Sequence, residues 1–479
     1  MGDVIWCRPR NGKNEYSWQR GKVSGDSVHM DDGRMLLLCE IEMDMDICRG
    51  NLLLSLDLDD LGMLTHLNEP SMVHCLEERF MADKVYCNTG EMLLAINPFK
   101  MIPKLYDIDM YQELQTLTKK LPHVFTTAND TYQALHAIHP TTNQHQNQTV
   151  LVSGESGSGK TESTKFIMQY LAVVSKSDEP NNISDQVLQS NPILESFGNA
   201  RTLRNDNSSR FGKFVKIWFS PEKHNQLRLI GTTIETYLLE KVRLVHQAQG
   251  ERNFHIFYEL LAEAKSNKLL RESLHLHSPA TAFTYLKDGD CYLRQDNVRD
   301  IDEFHKTMKA MDIVGFQEDE KALQCASILE VVASMLHLGN MKFGLKPGGG
   351  GADASISDVS TLKELEWVSE LLAVDKERLR SALTKRQIKA KDEWYVVHLT
   401  VEQAEEARDA MARSIYGYLF DWIVCKVNLC IGGREFKSTD RFIGVLDIFG
   451  FESFEFNSFE QLCINYANER LQYHFIDFV

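Results

Sequence analysis

Residues 149–174 read TVLVSGESGSGKTESTKFIMQYLAVV. The apolar run at the start predicts a buried strand, the glycine-rich stretch predicts a loop, and the apolar spacing after Lys160 predicts a helix. The loop fits the pattern G-x-x-x-x-G-K-[S/T] in the strand–loop–helix context that this pattern requires. Its glycines allow backbone N–H groups to converge on phosphate oxygens, and the positive end of the helix faces the same anion. The sequence therefore predicts an α/β fold built around a phosphate-binding loop, the P-loop.

The side chains at the end of the P-loop extend this prediction to a nucleotide with its metal ion. Lys160 is placed to reach the β- and γ-phosphates, and the Thr161 hydroxyl is placed to bind Mg²⁺. The alternative is a glycine-rich turn before an ordinary helix, which would require neither of these two side chains. The P-loop residues predicted to bind the nucleotide are Gly154, Glu155, Ser156, Gly157, Ser158, Gly159, Lys160 and Thr161.

Two later stretches carry the residue types that a nucleotide hydrolase needs around the γ-phosphate. Arg204–Phe214 reads RNDNSSRFGKF, with two adjacent hydroxyls before an arginine. Asp447–Glu452 reads DIFGFE and follows an apolar strand, which suits an aspartate that holds the metal. Gly450 leaves its backbone N–H unhindered for a contact with the γ-phosphate. Taken singly, the first stretch is more often a polar turn, and the second is common in loops.

In this combination and order, the three stretches resemble the P-loop, switch I and switch II of the myosin motor family. Kinesins have a related switch I but follow it with a Ser-His pair, where this chain has Phe211 and Gly212. The resemblance runs from about residue 50 to about residue 475. Further segments that resemble myosin segments are LTHLNEP (64–70), NPFK (97–100), NPILESFGNA (191–200), ETYLLEK (235–241), GERNFHIFYELL (250–261), HLGN (337–340) and NSFEQLCINYANERLQ (457–472).

The resemblance implies an α/β P-loop NTPase motor with a mixed, twisted central sheet flanked by helices. It implies that residues 1–50 form a small SH3-like β-barrel. Residues 51–479 would then belong to a motor domain that stops after the start of the relay helix, the helix that follows switch II. Converter, neck and tail, and with them light chains or cargo, would require sequence that this chain does not contain.

The resemblance also implies roles for switch I residues. Asn205 would bind the nucleotide, and Ser208 would lie near the γ-phosphate and the attacking water. Ser209 would be the second hydroxyl on Mg²⁺, so that the metal site would consist of Thr161, Ser209 and Asp447.

Arg210 and Glu452 match the two partners of the ion pair that joins switch I to switch II in myosins. The pair would close over the γ-phosphate, exclude water and fix the nucleophile. Two unrelated surface charges are the alternative, and such a pair is worth only ~0–1 kcal/mol. The residues that the resemblance implies to be catalytic are Lys160, Ser208, Arg210, Gly450 and Glu452.

A turn in the first part of the chain matches the myosin turn that contacts adenine. This chain has one residue more than the family between Pro98 and the tyrosine on that edge, which here is Tyr106. The residues implied to bind adenine are Asn97, Pro98, Phe99, Lys100 and Tyr106.

An actin-facing region follows from the resemblance as well. Residues 409–428 resemble a helix on the actin side of the motor, and the preceding stretch 385–400 would lie on the actin-binding face. Some myosin classes phosphorylate a residue sixteen positions before Asp409, where this chain has Glu393. A fixed carboxylate would supply the charge that a phosphate adds. A solvated acid with no such role is the alternative for Glu393.

Composition limits the remaining possibilities. The 479 residues include 52 Lys+Arg and 68 Asp+Glu, a net charge of −16, which argues against a nucleic-acid partner. The apolar runs are shorter than a membrane span, and the start resembles no signal peptide. Ten cysteines without a CxxC pair predict a reduced, cytoplasmic protein.

The sequence thus predicts an actin-activated, Mg²⁺-dependent ATPase of the actin cytoskeleton, with ATP, ADP and F-actin as partners. Two alternatives stay open. The chain could bind actin or nucleotide without producing force, which ATP turnover with and without filaments would reveal. It could also be a P-loop NTPase that is no motor, which a failure to bind actin would favour.

Overall fold

The computed structural model describes residues 3–9, 18–51, 56, 58–107, 110, 114, 120–138, 144–175, 183–221, 227–316, 322–345, 354–356, 358–390, 393–432, 436–453 and 457–478. The chain divides into two compact units, Met1–Gln133 with Phe475–Val479, and Ala134–His474. The predicted division of the chain at residue 50 into a barrel and a motor domain stays a prediction.

The first unit begins with an antiparallel sheet in the strand order β4-β3-β2-β1-β5. Alternating apolar residues bury Ile5, Cys7, Val28 and Met30 in a small core with Ile41. The elements of this sheet are β1 Val4–Pro9, β2 Gln19–Ser24, β3 Ser27–Met30, β4 Met35–Leu37, α1 Leu38–Asp44 and β5 Met45–Arg49. The alternating pattern therefore predicts the β-structure of this region, and the SH3-like assignment stays a prediction.

The described residues in the rest of the first unit form a hairpin and two α-helices, the second of which ends at Ala134, the first residue of the second unit. Helix α2 begins after Asn68, whose side chain accepts a hydrogen bond from Ser71 N, and Pro70 fits its first turn because a proline there sacrifices no helical hydrogen bond. The elements are α2 Glu69–Met81, β6 Tyr86–Thr89, β7 Met92–Ala95 and α3 Val124–Ala134.

The second unit is built on a mixed sheet in the strand order β12-β11-β17-β8. Its strands are β8 Gln148–Val152, β11 Gly212–Pro221, β12 Leu227–Tyr237 and β17 Arg441–Asp447. The β11–β12 hairpin and the β11–β17 pair are antiparallel, and β17 runs parallel to β8, which the order places at an edge. Helices pack against this sheet, so the predicted α/β class with a mixed sheet flanked by helices is confirmed.

The helices of the second unit are α4 Lys160–Val174, α5 Ile183–Gly198, α6 His255–Ser266, α7 Lys268–Ser273, α8 Asp300–Val314, α9 Ala322–Asn340, α10 Val359–Leu371, α11 Lys376–Thr384, α12 Val401–Ile431 and α13 Phe459–Phe478, of which α13 ends in the first unit. Short paired strands complete it: β9 Asn199–Ala200, β10 Ser208–Ser209, β13 Gly344–Leu345, β14 Ala354–Ser355, β15 Lys385–Ala390 and β16 Glu393–His398.

Helix α12 is long and apolar enough, by length and composition alone, to cross a membrane. One such helix is weak evidence, because the core helix of a globular protein passes the same test. Its apolar side chains Tyr416, Ile423 and Val427 are buried, and the helix packs on α9 and β12. We therefore interpret α12 as a core helix.

The parallel pair β8–β17 positions the candidate site. Val152 at the end of β8 lies opposite Asp447 at the end of β17. Ligands of open α/β sheets bind beyond the carboxyl ends of such strands. The P-loop and switch II therefore leave the sheet side by side.

Candidate nucleotide site

The P-loop connects β8 to α4 with a backbone that requires glycine. Gly157 and Gly159 have φ values of 82° and 93°, in the left-handed region that side chains disfavour. Gly159 caps α4, whose first residue is Lys160, so the helix presents its free N–H groups to the loop. Ser158 N donates to the Glu155 carbonyl oxygen at 3.2 Å, which closes the loop as a turn. This geometry suits an anion cradle, and the roles of the P-loop residues at a nucleotide stay predictions.

The side chain of Lys160 folds back over the P-loop. Its Nζ donates to the carbonyl oxygens of Gly154 at 2.8 Å and Glu155 at 2.7 Å. Burial lowers the pKa of Lys160, against the attraction of the carboxylates of Asp447 and Glu452. The ammonium group is thus held within the loop that it is predicted to serve.

Two of the predicted metal ligands are in direct contact. Thr161 Oγ1 donates to Asp447 Oδ2 at 3.0 Å. Asp447 is buried, and Lys213 Nζ lies 3.5 Å from the same carboxylate oxygen. Hydroxyl and carboxylate oxygens are the ligands that Mg²⁺ prefers, so these two residues fit the ion. Ser209, the third predicted ligand, is half-buried in β10, where its backbone pairs with Asn199.

Switch I contacts the P-loop through Ser208. Its buried Oγ lies 3.4 Å from Ser156 Oγ. Asn205 shapes the loop: its Oδ1 accepts from Asn207 N at 3.0 Å, and its Nδ2 donates to the Asn207 carbonyl oxygen at 3.3 Å. Arg204 Nη2 donates to the carbonyl oxygen of Ser453 at 2.9 Å, which joins switch I to the switch II loop.

Arg210 and Glu452 form the ion pair that the sequence predicts. Arg210 Nη1 donates to Glu452 Oε1 at 2.6 Å, and Nη2 donates to Oε2 at 3.2 Å. The side chains are 1% and 3% exposed, so this is a buried, two-pronged pair and not a surface contact. Arg210 Nη1 also donates to Ser208 Oγ at 3.1 Å, which orients the hydroxyl next to the P-loop. We call the Arg210–Glu452 pair the gate.

Switch II touches the P-loop backbone at Gly450. A Cβ atom on this residue would lie 2.5 Å from Ser156 N and 2.7 Å from the Gly154 carbonyl oxygen. Such distances are too short for any side chain. Glycine at this position is therefore a requirement of the close approach between the two loops.

The first half of α13 is bonded to switch II by two asparagines that the sequence motifs did not single out. Asn465 Nδ2 donates to the Glu452 carbonyl oxygen at 2.6 Å, and Asn465 Oδ1 accepts from Glu452 N at 2.9 Å. Asn468 Nδ2 donates to the Phe449 carbonyl oxygen at 3.0 Å. Their spacing of three residues on one helix face was the available signal. The predicted relay helix is thus bonded directly to the switch II backbone.

A half-buried network, which the sequence motifs also did not single out, joins switch I to α4. Lys165 Nζ lies 2.9 Å from Glu195 Oε1, and Asn207 Nδ2 donates to Glu195 Oε2 at 3.1 Å. His255 Nε2 lies 3.2 Å from Asn207 Oδ1, and burial holds the pKa of His255 well below its ordinary value. Glu195 lies in the segment 191–200 that resembles a myosin segment, but no local sequence pattern predicts its contacts with Lys165 and Asn207.

The residues predicted to bind adenine lie in the first compact unit. Asn97 Oδ1 accepts from Phe99 N at 3.0 Å, and Phe99 is 85% exposed with a positive φ of 51°. Lys100 Nζ lies 2.6 Å from Asp83 Oδ1. The Tyr106 hydroxyl lies 2.9 Å from the Tyr86 hydroxyl. The roles of Asn97, Pro98, Phe99, Lys100 and Tyr106 at a nucleotide stay predictions.

Comparison with known proteins agrees with this arrangement. The family model described as myosin head (motor domain) matches residues 58–479. Myosin-16 of Arabidopsis thaliana is 42% identical over 422 residues, covering 87% of this chain and 32% of that protein. Myosin-13 of the same plant is 42% identical over 490 residues, covering 100% of this chain and 31% of that protein. The myosin-I heavy chain of Dictyostelium discoideum is 40% identical over 420 residues, covering 87% of this chain and 17% of that protein.

This chain therefore spans a third or less of the length of these three relatives. The family match covers the P-loop, both switches and the start of the relay helix within one continuous range. The chain belongs to the myosin head (motor domain) family.

Proposed function

We propose that this chain binds and hydrolyses MgATP and forms the nucleotide-dependent part of an actin-based motor. The observation that carries the proposal is the convergence of three loops from distant parts of the sequence. Ser208 and Gly450 both contact the P-loop at Ser156, and the gate joins the two switches above it. This arrangement supports a site that senses and cleaves the γ-phosphate.

The P-loop would hold the phosphates. Its backbone N–H groups and Lys160 would face the β- and γ-phosphate oxygens. Thr161, Ser209 and Asp447 would hold Mg²⁺ on the same side, and the ion would neutralise charge on those oxygens. Asn205 would add a contact to the nucleotide from switch I.

Hydrolysis here needs positioning more than a strong base, because phosphoryl transfer has a loose transition state. Ser208 would orient the attacking water, and Gly450 N–H would contact the γ-phosphate. The gate of Arg210 and Glu452 would exclude bulk water while the reaction proceeds.

The contacts of α13 offer a path from the site to a larger motion. Asn465 and Asn468 bond to the backbone of switch II, so a shift of that loop would pull on the first half of a 20-residue helix. A rigid helix that follows such a loop can carry a small displacement to its far end. We propose that this is the mechanical output of the site.

Actin would bind at the β15–β16 hairpin. Strand β16 exposes Trp394, Tyr395 and Val396, with Trp394 65% exposed, and strand β15 exposes Lys385 and Lys389. An exposed apolar patch of this kind is typical of a protein-binding surface. Glu393 lies at the tip of this hairpin, where it accepts a hydrogen bond from the Tyr395 hydroxyl at 2.7 Å. A cytoplasmic location on the actin cytoskeleton follows from this partner.

ATP turnover of the full-length protein, measured with and without F-actin, tests the proposal. We expect turnover that rises with actin and is abolished by Lys160→Ala. The matched control is Lys268→Ala, because Lys268 is 74% exposed on α7 and paired only with Glu272 of the same helix among the described residues. Turnover in Lys160→Ala equal to that of the control would overturn the proposal. ATP binding without turnover in the wild-type protein would favour a nucleotide-binding protein instead.

A further inference from the structure

Arg210 has a second carboxylate partner outside both switches. Its Nε donates to Glu240 Oε2 at 2.7 Å, whereas Nη1 and Nη2 donate to Glu452, so the two carboxylates use different nitrogens of the guanidinium. Glu240 N also donates to the Arg210 carbonyl oxygen at 2.9 Å. Glu240 is therefore tied to Arg210 through both the backbone and the side chain, whereas Glu452 is tied to it through side chains.

Glu240 belongs to a line of buried charges that alternate in sign. Arg243 Nε donates to the same Glu240 oxygen at 2.6 Å, and Arg243 Nη1 lies 2.8 Å from Glu251 Oε2. None of the five side chains is more than 12% exposed. The order along this line is Glu452, Arg210, Glu240, Arg243 and Glu251.

The surroundings keep Glu240 charged. Burial acts to raise its pKa, but the guanidinium groups of Arg210 and Arg243 lower the pKa of Glu240 to about 2. Glu240 follows β12 of the central sheet, whereas Glu452 lies in the loop after β17. If the two switches part, Glu452 leaves with its loop, and Glu240 remains bonded to Arg210.

A buried cation that loses its partner is strongly destabilised, because no water replaces the lost charge. We infer that Glu240 is a positioning residue that acts as the permanent counter-ion of Arg210. Glu240 keeps the guanidinium paired when Glu452 moves away, and this pairing lowers the energetic cost of opening the gate. The inference rests on the proposed function, because opening matters only at a site that turns over ATP.

A thermal unfolding cycle without nucleotide tests the shared pairing by itself. The variants are Glu240→Gln, Glu452→Gln and the double variant of the full-length protein, since glutamine keeps the shape and removes the charge. We expect the double variant to lose more in melting temperature than the sum of the two single losses, because only there does Arg210 lack any carboxylate. Additive losses would overturn the inference, whether or not the protein hydrolyses ATP.

Rapid-mixing kinetics test the consequence for the gate. Glu240→Gln should retain the initial burst of phosphate formed on the protein and release that phosphate about tenfold more slowly, because opening would leave Arg210 unpaired. Glu240→Asp keeps the charge but shortens the side chain, so its rate of phosphate release should lie between those of Glu240→Gln and wild type. If Glu240→Gln does not fold, the rate in Glu240→Asp tests the inference instead. Glu235→Gln is the control, because Glu235 stands in the same segment but pairs at the surface with Lys216.

Release at the wild-type rate in both Glu240 variants, or loss of the burst in Glu240→Gln, would contradict the counter-ion role. A wild-type protein without turnover would instead contradict the proposed function, and the unfolding cycle would still decide the pairing of Arg210.

Discussion

Thr161 Oγ1 donates a hydrogen bond of 3.0 Å to Asp447 Oδ2, although 286 residues separate the two in sequence. The contact exists because β8 and β17 are parallel neighbours whose carboxyl ends coincide at Val152 and Asp447. It brings together a hydroxyl and a carboxylate, which are oxygen ligands of the kind that Mg²⁺ prefers.

We expect Thr161→Val and Asp447→Asn each to raise the Mg²⁺ concentration needed for ATP binding by at least about tenfold, because each removes an oxygen from the metal site. A Mg²⁺ titration of nucleotide binding measures this. The control is Thr164→Val, one turn along α4, where Oγ1 is buried without a hydrogen-bond partner among the described residues. An unchanged Mg²⁺ requirement in the first two variants would exclude these residues as ligands.

Swapping the two charges of the gate should restore only part of the hydrolysis that either single charge reversal abolishes. Arg210→Glu and Glu452→Arg should each abolish hydrolysis, since each places like charges together in a buried site. The double variant re-pairs them but sets a carboxylate at position 210 against Glu240, so we expect it to recover only a small part of the turnover. Adding Glu240→Gln should raise that recovery. The rate of hydrolysis in a single turnover distinguishes these cases. If the double variant hydrolyses ATP no faster than either single variant, both with and without Glu240→Gln, the pairing of Arg210 with Glu452 is contradicted.

Gly450→Ala should reduce hydrolysis by about a hundredfold or more, because the added Cβ would lie 2.5 Å from Ser156 N and would force switch II away from the P-loop. Gly344→Ala is the matched control, since a Cβ there meets no atom within 4 Å. The measurement is the rate of phosphate formation in a single turnover. Equal rates in the two variants would show that the close approach of the loops is not needed.

The buried carboxyl of Glu259 on α6 should make stability fall as pH rises. Burial raises the pKa of Glu259 to about 8, and Ser196 Oγ donates to its Oε2 at 2.6 Å. Because the folded-state pKa lies above the unfolded value of about 4.3, the stabilisation is complete below that value and is lost as pH rises toward 8.

Glu259→Gln should therefore be more stable than wild type by about 1–3 kcal/mol near pH 8 and should differ little near pH 5. Urea unfolding at both pH values measures this. Glu272→Gln, at an exposed position of α7, should leave the pH dependence unchanged. A Glu259→Gln variant with the wild-type pH dependence would show that Glu259 is not the titrating group.

Glu393→Ala should lower actin activation of ATP turnover about fivefold, because it removes a fixed negative charge from the tip of the β15–β16 hairpin. Tyr395→Phe removes only the hydroxyl that bonds to Glu393 and keeps the charge, so it should have a smaller effect. Turnover measured across a range of F-actin concentrations compares the two. Full activation in Glu393→Ala would identify the residue as a solvated acid.

The local features of the site were readable from the sequence because each depends on residues close together in the chain. The backbone conformation of a single loop requires glycine at positions 157 and 159, and Asp447 is recognisable because it ends a single apolar strand. The resemblance of these segments to myosins then supplied the pairing of Arg210 with Glu452, which the structure confirms.

Other relationships were decided by the tertiary structure alone. Glu240 is an ordinary acid at the end of a strand until the fold places it against Arg210, and Lys213 is one of many lysines until β11 sets it beside Asp447. Asn465 and Asn468 look like polar residues of a helix until switch II packs on them. The physical reason is that a buried charge or amide is defined by its partner. A partner that is distant in sequence leaves no trace in local spacing, so only the folded chain shows which charges meet.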